Sequence, residues 1–580
     1  MSTTGADILL DVFKSHGVEY IFCSPGSEWF PVWESLIRRY NQDDKTLKYI
    51  NCRHEVLAIS MASGYAHATG RLPAVLLHAS VGTLNGAMTL RMAYRAKSPM
   101  IVCSGDTYGY GEDEDDKGDA WKWIGGLSEM GGTDALVRPY VKWSNAVTSK
   151  ETILDSVYRG CEIAQKVPQG PVFLNIPWEF LLKSLPEANI RPPTPPAPPQ
   201  PNHDDLKFVA EQLMSSKQPI ILTEHAGERP GAVSKLVELA ELLSIPVFES
   251  IYPRFANFPR EHPLHIGYDT TEVLHEADVI FIVGGTTPWQ PPSAFPRSAK
   301  KVILLDEEPL KERLPYWGYR IDLPIAADTG QWLTALVDTI NTRLSKSGNI
   351  ASHYRERFER WQAKHQQLRK KWEEAALAKQ RNKPISPEWL FYTANKVLPS
   401  NSFILAETAT HSAIVQRYMA EPESFLKVIS GGLGNGLGAA AGIKLARKDR
   451  PVVLIVGDGT FSYNPVLAGL GLYQEYQLPV MVIVLNNGAY ASMRSTHQKY
   501  YPKGWAVSKN TYLGVDLTPV PNYTKVAEAF DVYGYRLENP DDVEPTLNRA
   551  LQQITSGKSV LIDVILDPKE TSGYASIGGR

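Results

Sequence analysis

The chain has 580 residues, of which 43% are hydrophobic and 21% are charged, and its formal net charge is −3. This length is too great for one hydrophobic core and predicts about three or four domains of ordinary size. The near-neutral charge gives no reason to expect nucleic acid as a partner, no apolar run is long enough to cross a bilayer, and the N-terminus lacks the pattern of a signal peptide, so we expect a cytoplasmic protein.

Short apolar runs bounded by turn residues predict buried parallel strands along the whole chain. Helix-like stretches alternate with these runs, which favours α/β domains with parallel sheets. The candidate strands lie at residues 20–23, 74–78, 100–104, 219–223, 279–284, 301–306, 403–407, 451–456, 479–485 and 559–565.

Two stretches divide these strands into three groups. Residues 191–201 are dense in proline and predict an extended linker, whereas residues 354–379 are rich in Arg, Glu, Lys, Gln and Ala and predict an exposed amphipathic helix. We therefore predict three doubly wound parallel-sheet domains. The predicted bounds are 1–185 for the first domain, 186–204 for the proline-rich linker, 205–345 for the central domain, 346–383 for the charged helical linker and 384–580 for the last domain.

Oxygen-bearing side chains follow two neighbouring strands of the last domain. The run 451–456 leads into Gly457-Asp458-Gly459, and the run 479–485 leads into Asn486-Asn487, with a crossover helix predicted over 464–475. Both ends then meet at the carboxyl edge of a parallel sheet, where ligands collect. A few carboxylate and amide oxygens suit a magnesium ion that takes its other ligands from a diphosphate and water. The glycines let the backbone approach the phosphates closely.

This pair of motifs resembles the signature of thiamine diphosphate (ThDP) enzymes of the pyruvate oxidase, acetolactate synthase and benzoylformate decarboxylase family. The resemblance implies Asp458 and Asn487 as metal ligands, with the Ala489 carbonyl completing the metal shell. Asp458 and Asn487 are 29 positions apart, which is about two more than in most relatives and which a crossover can absorb. The predicted order of domains, with two outer domains around a central one, is also that of the family. The resemblance further assigns cofactor contacts to Gly457, Gly459, Thr460, Tyr490 and Ala491.

A glutamate is needed to bring the aminopyrimidine of ThDP into the tautomer that activates the thiazolium carbon. The segment 51–70 resembles the family segment that carries this residue, and Glu55 is our candidate for it. The alternative is a glutamate on a solvated helix face, where most glutamates lie. The small and apolar residues around Glu55, with Gly64 at an expected close contact, favour a buried setting.

A glycine-rich segment at residues 430–434 matches the part of the family that bends the cofactor. The resemblance implies Leu433 as the wedge between the two rings and the Gly431 carbonyl as a pyrimidine contact. Residues 434–439 also fit a loose dinucleotide-binding fingerprint. That fingerprint should be followed by a strand that ends in an acidic residue for hydrogen bonding to ribose, whereas the next strand here ends in Gly-Asp-Gly, which disfavours dinucleotide binding.

The segment that follows the strand at 403–407 is expected to meet the diphosphate with hydroxyl and amide groups. This prediction covers Glu407, Thr408, Ala409 and Thr410. A role of Thr408 or Thr410 as the N-cap of a helix would give the same sequence pattern.

The motifs that select the reaction most resemble benzoylformate decarboxylase. Ser27 matches the serine that contacts the substrate carboxylate, and His78 matches the histidine that transfers protons. A histidine near neutral pKa can donate and accept protons within one cycle, although a buried structural histidine is the alternative. The implied activity is decarboxylation of a 2-oxo acid, a C–C bond lyase reaction in which the ylid adds to a ketone and loss of carbon dioxide leaves an enamine.

One departure keeps a second reaction open. The decarboxylase has a further histidine in its central domain, and the matching stretch at residues 283–292 has none. An enamine that is not protonated can attack a second carbonyl, such as an aldehyde acceptor, as in acetolactate synthases. The stretch 258–267 also looks like the synthases, some of which bind FAD, but no flavin motif supports FAD here.

The acidic and aromatic stretch at residues 108–123 has no counterpart in the family. A solvated loop is the simpler interpretation, and a cover over the active site is the alternative.

The sequence thus predicts an enzyme that uses ThDP and Mg²⁺, with a small 2-oxo acid as substrate. Family members place the glutamate of one subunit against the cofactor of another, so the resemblance implies a homodimer or homotetramer with active sites at the subunit interface. A non-catalytic relative that keeps only the fold is the remaining alternative, and the intact ligand positions disfavour it.

Overall fold

The computed structural model describes residues 3–106, 132–186, 189–193, 199–229, 231–250, 253–271, 273–293, 295, 298–347, 352–428 and 431–568. The acidic stretch at 108–123, and with it the role predicted for that stretch, lies outside the described residues. No helix in these ranges combines the length and the apolar character that crossing a membrane requires.

Three separate parallel sheets confirm the predicted α/β architecture. Each sheet takes its strands from one of the three predicted segments, although the exact domain bounds remain a prediction. One short antiparallel pair, β1 (Thr3–Thr4) with β8 (Ser184–Leu185), lies outside the three sheets.

The first sheet has six strands in the order β3-β2-β4-β5-β7-β6. The strands are β2 (Tyr20–Cys23), β3 (Lys48–Asn51), β4 (Ala74–Leu77), β5 (Met100–Asp106), β6 (Trp143–Ala146) and β7 (Pro171–Pro177). The helices of this part are α1 (Gly5–Ser15), α2 (Phe30–Asn41), α3 (Glu55–Thr69), α4 (Ala79–Arg95), α5 (Thr133–Val137), α6 (Ile153–Gln165) and α7 (Trp178–Leu182).

The central sheet has five strands in the order β10-β9-β11-β12-β13. The strands are β9 (Pro219–Thr223), β10 (Val247–Glu249), β11 (Val279–Val283), β12 (Lys301–Asp306) and β13 (Leu323–Ala326), and the helices are α8 (His203–Ser215), α9 (Ala232–Leu243) and α10 (Thr329–Ser347). The charged helix α11 (Ser352–Ala378) leads to the last sheet. Its Trp361 packs into the central core and its Trp372 into the core of the last domain, so α11 is fixed at both ends.

The last sheet has six strands in the order β15-β14-β16-β17-β19-β18. The strands are β14 (Phe403–Glu407), β15 (Phe425–Lys427), β16 (Val452–Gly457), β17 (Met481–Asn486), β18 (Tyr533–Leu537) and β19 (Val560–Ile565). The helices are α12 (Pro387–Val397), α13 (Ser412–Met419), α14 (Gly436–Ala446), α15 (Asp458–Tyr463), α16 (Val466–Glu475), α17 (Ala491–Tyr500), α18 (Trp505–Lys509), α19 (Tyr523–Glu528) and α20 (Val543–Thr555).

Helices α3 and α14 join the first and last domains through an unusually close contact. A Cβ atom on Gly64 would collide with the Ala439 carbonyl, and a Cβ on Gly442 would collide with the Met61 carbonyl. Helix α3 is well defined at both ends, because the His54 side chain accepts a hydrogen bond from the Val56 N–H and Gly70 ends the helix at a φ of 71°. The small residues predicted around Glu55 therefore serve helix–helix packing.

Candidate active site

The carboxyl edge of the last sheet brings two of the predicted ligands together. Asp458 follows β16, Asn487 follows β17, and these two strands are paired directly. The loop after β17 is held to Asp458, because the Gly488 N–H donates to Asp458 Oδ2 at 2.7 Å. Asn487 Oδ1 accepts from the Ala489 N–H at 3.1 Å. Both side chains are buried.

Asp458 is a buried carboxylate that has no cationic side chain as a partner among the described residues. Burial, and to a smaller extent the nearby Asp563 charge, raise its pKa to about 6, although the N–H groups of Gly459 and Gly488 oppose the shift. No ion pair formed by the described part of the chain includes Asp458. A divalent cation would supply the missing positive charge. The described residues contain no cluster of three or more His, Cys, Asp or Glu that forms a metal site, so such a cation would need outside ligands such as phosphate oxygens.

The residues after Asn487 close over the loop that carries Asp458. Ala489 forms a β-bridge with Asp516, and the Tyr490 N–H donates to the Val515 carbonyl at 2.8 Å. The Tyr490 ring lies so near Gly459 that a Cβ at that position would collide with it. The turn therefore needs a glycine at 459 for packing as well as for the approach of an anion. Thr460 is buried in α15, and Ala491 begins α17.

Glu407, which was predicted to meet the diphosphate, has its carboxylate inside the protein. The carboxylate accepts hydrogen bonds from the N–H groups of Gly434, Asn435 and Gly436 at 3.0, 2.7 and 2.9 Å. Asn464 Nδ2 adds a bond at 3.2 Å. Burial raises the Glu407 pKa to about 7 in spite of these donors. The side chain thus caps the start of α14, and a contact of residue 407 with the cofactor remains a prediction.

The rest of the segment after β14 lies at the same edge of the sheet. Thr408 and Thr410 are buried and Ala409 is exposed. The first turn of α13 has no side-chain cap, so the alternative N-cap role of the two threonines is not seen in the structure.

The glycine-rich segment before α14 lies between α4 and the loop of Asp458. Gly431 has a φ of 103° and Gly434 a φ of 94°, which favour glycine at both positions. A Cβ on Gly432 would collide with the Met88 sulfur, and one on Gly434 would collide with the Tyr463 carbonyl. Leu433 is half-buried between them. The structure therefore places the predicted wedge beside the predicted metal loop.

A second group of predicted residues lies at the carboxyl edge of the first sheet. Glu55 begins α3 after β3 and is half-buried. Its Oε1 accepts a hydrogen bond from Ser24 Oγ at 2.9 Å, and its Oε2 accepts one from Asn85 Nδ2. The setting is less buried than the sequence suggested, but both carboxyl oxygens have polar partners.

His78 and Ser27 come together at this edge around a residue that sequence reasoning missed. His78 follows β4, and Ser27 begins a short 3₁₀ helix after β2. Between them lies the buried Glu28, whose Oε1 and Oε2 are 2.9 and 2.8 Å from His78 Nδ1. Ser27 is exposed, and the His78 side chain is 43% exposed. The sequence signal for Glu28 was its place directly after Ser27 in the Ser-Pro-Gly-Ser-Glu segment.

The turn that leads into Glu55 is held against the last domain. The Asn51 N–H donates to the Tyr476 hydroxyl at 2.8 Å, and Arg53 pairs with Glu475. Tyr476 and Glu475 lie at the end of α16 that is remote from Asp458, and a ten-residue helix such as α16 is about 15 Å long. The turn before Glu55 is thus fixed against the C-terminal end of α16.

In the central domain, a histidine that follows β9 lies against the loop after β11. The loop after β11 contains no histidine, as the sequence indicated. His225, which follows β9, nevertheless places its Nε2 3.3 Å from Thr286 Oγ1 in that loop. Sequence reasoning missed this residue because it compared only the stretch after β11.

The chain is similar to known proteins over nearly its whole length. Thiamine pyrophosphate enzyme profiles match three regions: the N-terminal TPP binding domain over residues 3–120, the central domain over 206–336 and the C-terminal TPP binding domain over 407–564. The three matched regions together cover more than half of the chain.

Curated relatives carry two different activities in their names. The acetolactate synthase isozyme 3 large subunit of Escherichia coli is 24% identical over 98% of this chain and 95% of that protein. Benzoylformate decarboxylase of Pseudomonas aeruginosa is 25% identical over 96% of this chain and 97% of that protein.

Solved structures share the fold over nearly the full length. The thiamine diphosphate-dependent 4-hydroxybenzoylformate decarboxylase of Rhodococcus jostii has a TM-score of 0.78 and 22% identity, covering 97% of this chain and 99% of that one. Benzoylformate decarboxylase of Polynucleobacter necessarius has a TM-score of 0.78 and 20% identity, covering 98% of this chain and 99% of that one.

Proposed function

Because this chain belongs to the thiamine pyrophosphate enzyme family, we propose that it is a ThDP- and Mg²⁺-dependent enzyme that decarboxylates a 2-oxo acid. The observation that carries the proposal is the buried Asp458 carboxylate, which pairs with no cation in the described ranges and is tied at 2.7 Å to the loop that bears Asn487. Asp458, Asn487 and the Ala489 carbonyl would hold the metal, and Gly431 and Leu433 would seat the cofactor. Residues 407–410, 457, 459, 460, 490 and 491 line the same sheet edge and are proposed as further cofactor contacts.

When bound, ThDP supplies a nucleophilic carbon that adds to the ketone and then accepts the electron pair released with carbon dioxide. Glu55 would hold a proton between its carboxyl group and the cofactor pyrimidine. Ser27, which is exposed beside the buried Glu28, would donate its hydroxyl hydrogen to the substrate carboxylate. His78, with an exposed ring edge, would give and take protons at Nε2.

A second copy of the chain would complete the site. Helix α4 presents an exposed stripe formed by Val81, Leu84 and Met88 next to Asn85, the partner of Glu55. On the last domain, Tyr463 and Leu467 are exposed beside the Asp458 loop. Apolar patches of this kind mark protein–protein contacts. We propose that these two surfaces meet across a two-fold axis, so that Glu55 of one copy faces the Asp458 loop of the other.

Carboligation is the second candidate, and the loop after β11 is the observation that favours it. That loop lacks the histidine of the decarboxylase, so protonation after loss of carbon dioxide depends on His78.

Product analysis separates the two reactions. We expect the purified protein with ThDP and Mg²⁺ to release aldehyde from a 2-oxo acid, tested with pyruvate and benzoylformate, each with and without added aldehyde. Aldehyde alone supports decarboxylation, whereas acetolactate or a 2-hydroxy ketone as the main product would establish the carboligase. Release of neither product by the cofactor-loaded protein, from either substrate, would contradict the proposed function.

We propose that the central domain does not bind FAD. A nucleotide diphosphate at the carboxyl edge of such a sheet needs free backbone N–H groups. The N–H groups of Thr286 and Thr287 donate to Glu224 Oε2 at 2.7 and 3.1 Å, and the Gly285 N–H donates to Asp306 Oδ2 at 3.1 Å. Carboxylates of the chain thus occupy these donors and would repel a diphosphate.

We therefore expect the purified protein to lack flavin absorbance and to retain no FAD after incubation and desalting. An unrelated flavoprotein treated in the same way serves as the control. Stoichiometric flavin in the purified protein would contradict this assignment.

A further inference from the structure

The pair of Glu28 and His78 is more elaborate than a substrate-contacting histidine requires. The side chain of Glu28 is only 6% exposed, although it carries a carboxylate. Burying an ionised carboxylate is costly unless hydrogen bonds or an opposite charge compensate for it. Both of its oxygens lie within hydrogen-bonding distance of His78 Nδ1, and Oε1 also accepts from the Ala79 N–H at 3.0 Å.

The backbone around Glu28 is shaped to hold this carboxylate. Gly26 and Gly105 flank it, and a Cβ atom on either glycine would collide with the Glu28 side chain. Ala79, the residue that follows His78, has a φ of 29°, which non-glycine residues rarely adopt. Such strain persists only where the surroundings hold it in place, and it is concentrated at functional sites.

We infer that Glu28 is a positioning residue that fixes the tautomer and the orientation of His78. An ionised carboxylate only accepts hydrogen bonds, so His78 Nδ1 must carry the proton. Nε2 is then the ring nitrogen without that proton, on a side chain that is 43% exposed, and it can accept a proton from the reacting groups. The Glu28 charge also stabilises the imidazolium that forms when Nε2 is protonated. This inference rests on the proposed function for its role in turnover, but not for the existence of the pair.

The test compares Glu28→Gln with His78→Ala and with the double variant. Glutamine keeps the size of the side chain but donates a hydrogen bond to Nδ1, which reverses the tautomer. We expect kcat to fall by about 10²-fold or more with little change in KM, because general acid–base catalysis contributes on this scale. The double variant should lose little more than His78→Ala alone, since two residues that act as a unit are not additive.

A proton NMR spectrum gives a readout that does not depend on turnover. A ring N–H shared with a carboxylate resonates far downfield, and we expect the protein to show such a signal that disappears in both Glu28→Gln and His78→Ala. Glu249→Gln is the matched control. Glu249 is a buried partner of His265 in the central domain, with 3.2 Å between Oε1 and Nε2, and lies outside the proposed site. Its replacement should leave both kcat and the His78 signal in place.

Unchanged kcat in Glu28→Gln, losses that multiply in the double variant, or absence of the downfield signal from the wild-type protein would each overturn the inference. A failure of the proposed function can be told apart from a failure of this inference. A wild-type protein that turns over no 2-oxo acid would end the proposed function, while the NMR signal would still decide whether Glu28 fixes His78.

Discussion

Glu55→Gln is expected to leave the protein folded and able to bind ThDP and Mg²⁺, but to lower kcat by about 10²-fold or more. Glutamine keeps an oxygen that can accept from Ser24 or Asn85, so the start of α3 should be preserved. It has no proton to share with the pyrimidine, which is the role proposed for this carboxyl group. The measurement is steady-state turnover of the 2-oxo acid found by product analysis, together with cofactor affinity by calorimetry.

Glu475→Gln is the control for this variant. Glu475 pairs with Arg53 close to Glu55 but on the protein surface, where an ion pair contributes little to stability. We expect nearly full activity from it. Full activity of Glu55→Gln would refute the assignment of this residue, whereas loss of cofactor binding would show that Glu55 holds the cofactor rather than activates it.

Asp458→Asn is expected to abolish binding of the cation and cofactor and, with it, activity. The amide keeps one oxygen that can accept from Gly459 or Gly488, turns its NH2 group toward the other N–H, and lacks the charge that a divalent cation needs. The substitution should also remove a pH-dependent penalty from the metal-free protein. Burial raises the Asp458 pKa to about 6, so the ionised carboxylate destabilises the metal-free folded state at pH 7, and this penalty disappears as the pH falls below the unfolded value of 3.8.

Two measurements test these effects. Calorimetry should show no heat when Asp458→Asn is titrated with ThDP and Mg²⁺. When the pH is lowered from 7 to about 5, the thermal unfolding midpoint of the metal-free wild type should rise relative to that of the metal-free variant. Glu388→Gln, which changes a buried carboxylate paired with Lys379, should retain cofactor binding. Cofactor binding by Asp458→Asn with wild-type affinity would contradict the metal assignment.

The interior of each sheet could be predicted from the sequence, and the edges could not. The predicted strands all occur, and all of them are interior strands, such as β16 and β17 with their continuous apolar runs. The missed strands include both edges of every sheet: β3, β6, β10, β13, β15 and β18. An edge strand such as Tyr533–Leu537 is partly exposed and contains Gly and Arg, so it lacks a continuous apolar pattern. The exception is the interior strand β7, whose terminal prolines and Asn175 interrupt the pattern although every residue is buried.

The site could be predicted in pieces but not as an arrangement. Motifs at strand ends carried Asp458, Asn487 and His78, since their spacing depends on local turns. The pairing of Glu28 with His78 and that of His225 with Thr286 could not be found in this way, because each joins the ends of two strands that lie about 50 to 60 positions apart in the chain. Nor could local patterns reveal that Glu407 caps α14, because its partners begin 27 positions later.

The proposed pairing of Glu55 from one copy with the Asp458 loop of the other has a genetic consequence. Catalytic competence would belong to the pair of chains rather than to either one, and an isolated folded monomer would be inert. Two inactive variants, one altered at Glu55 and the other at Asp458, would then restore activity when expressed together. In a mixed dimer both substitutions fall in one of the two active sites, and the other site keeps the native Glu55 and Asp458.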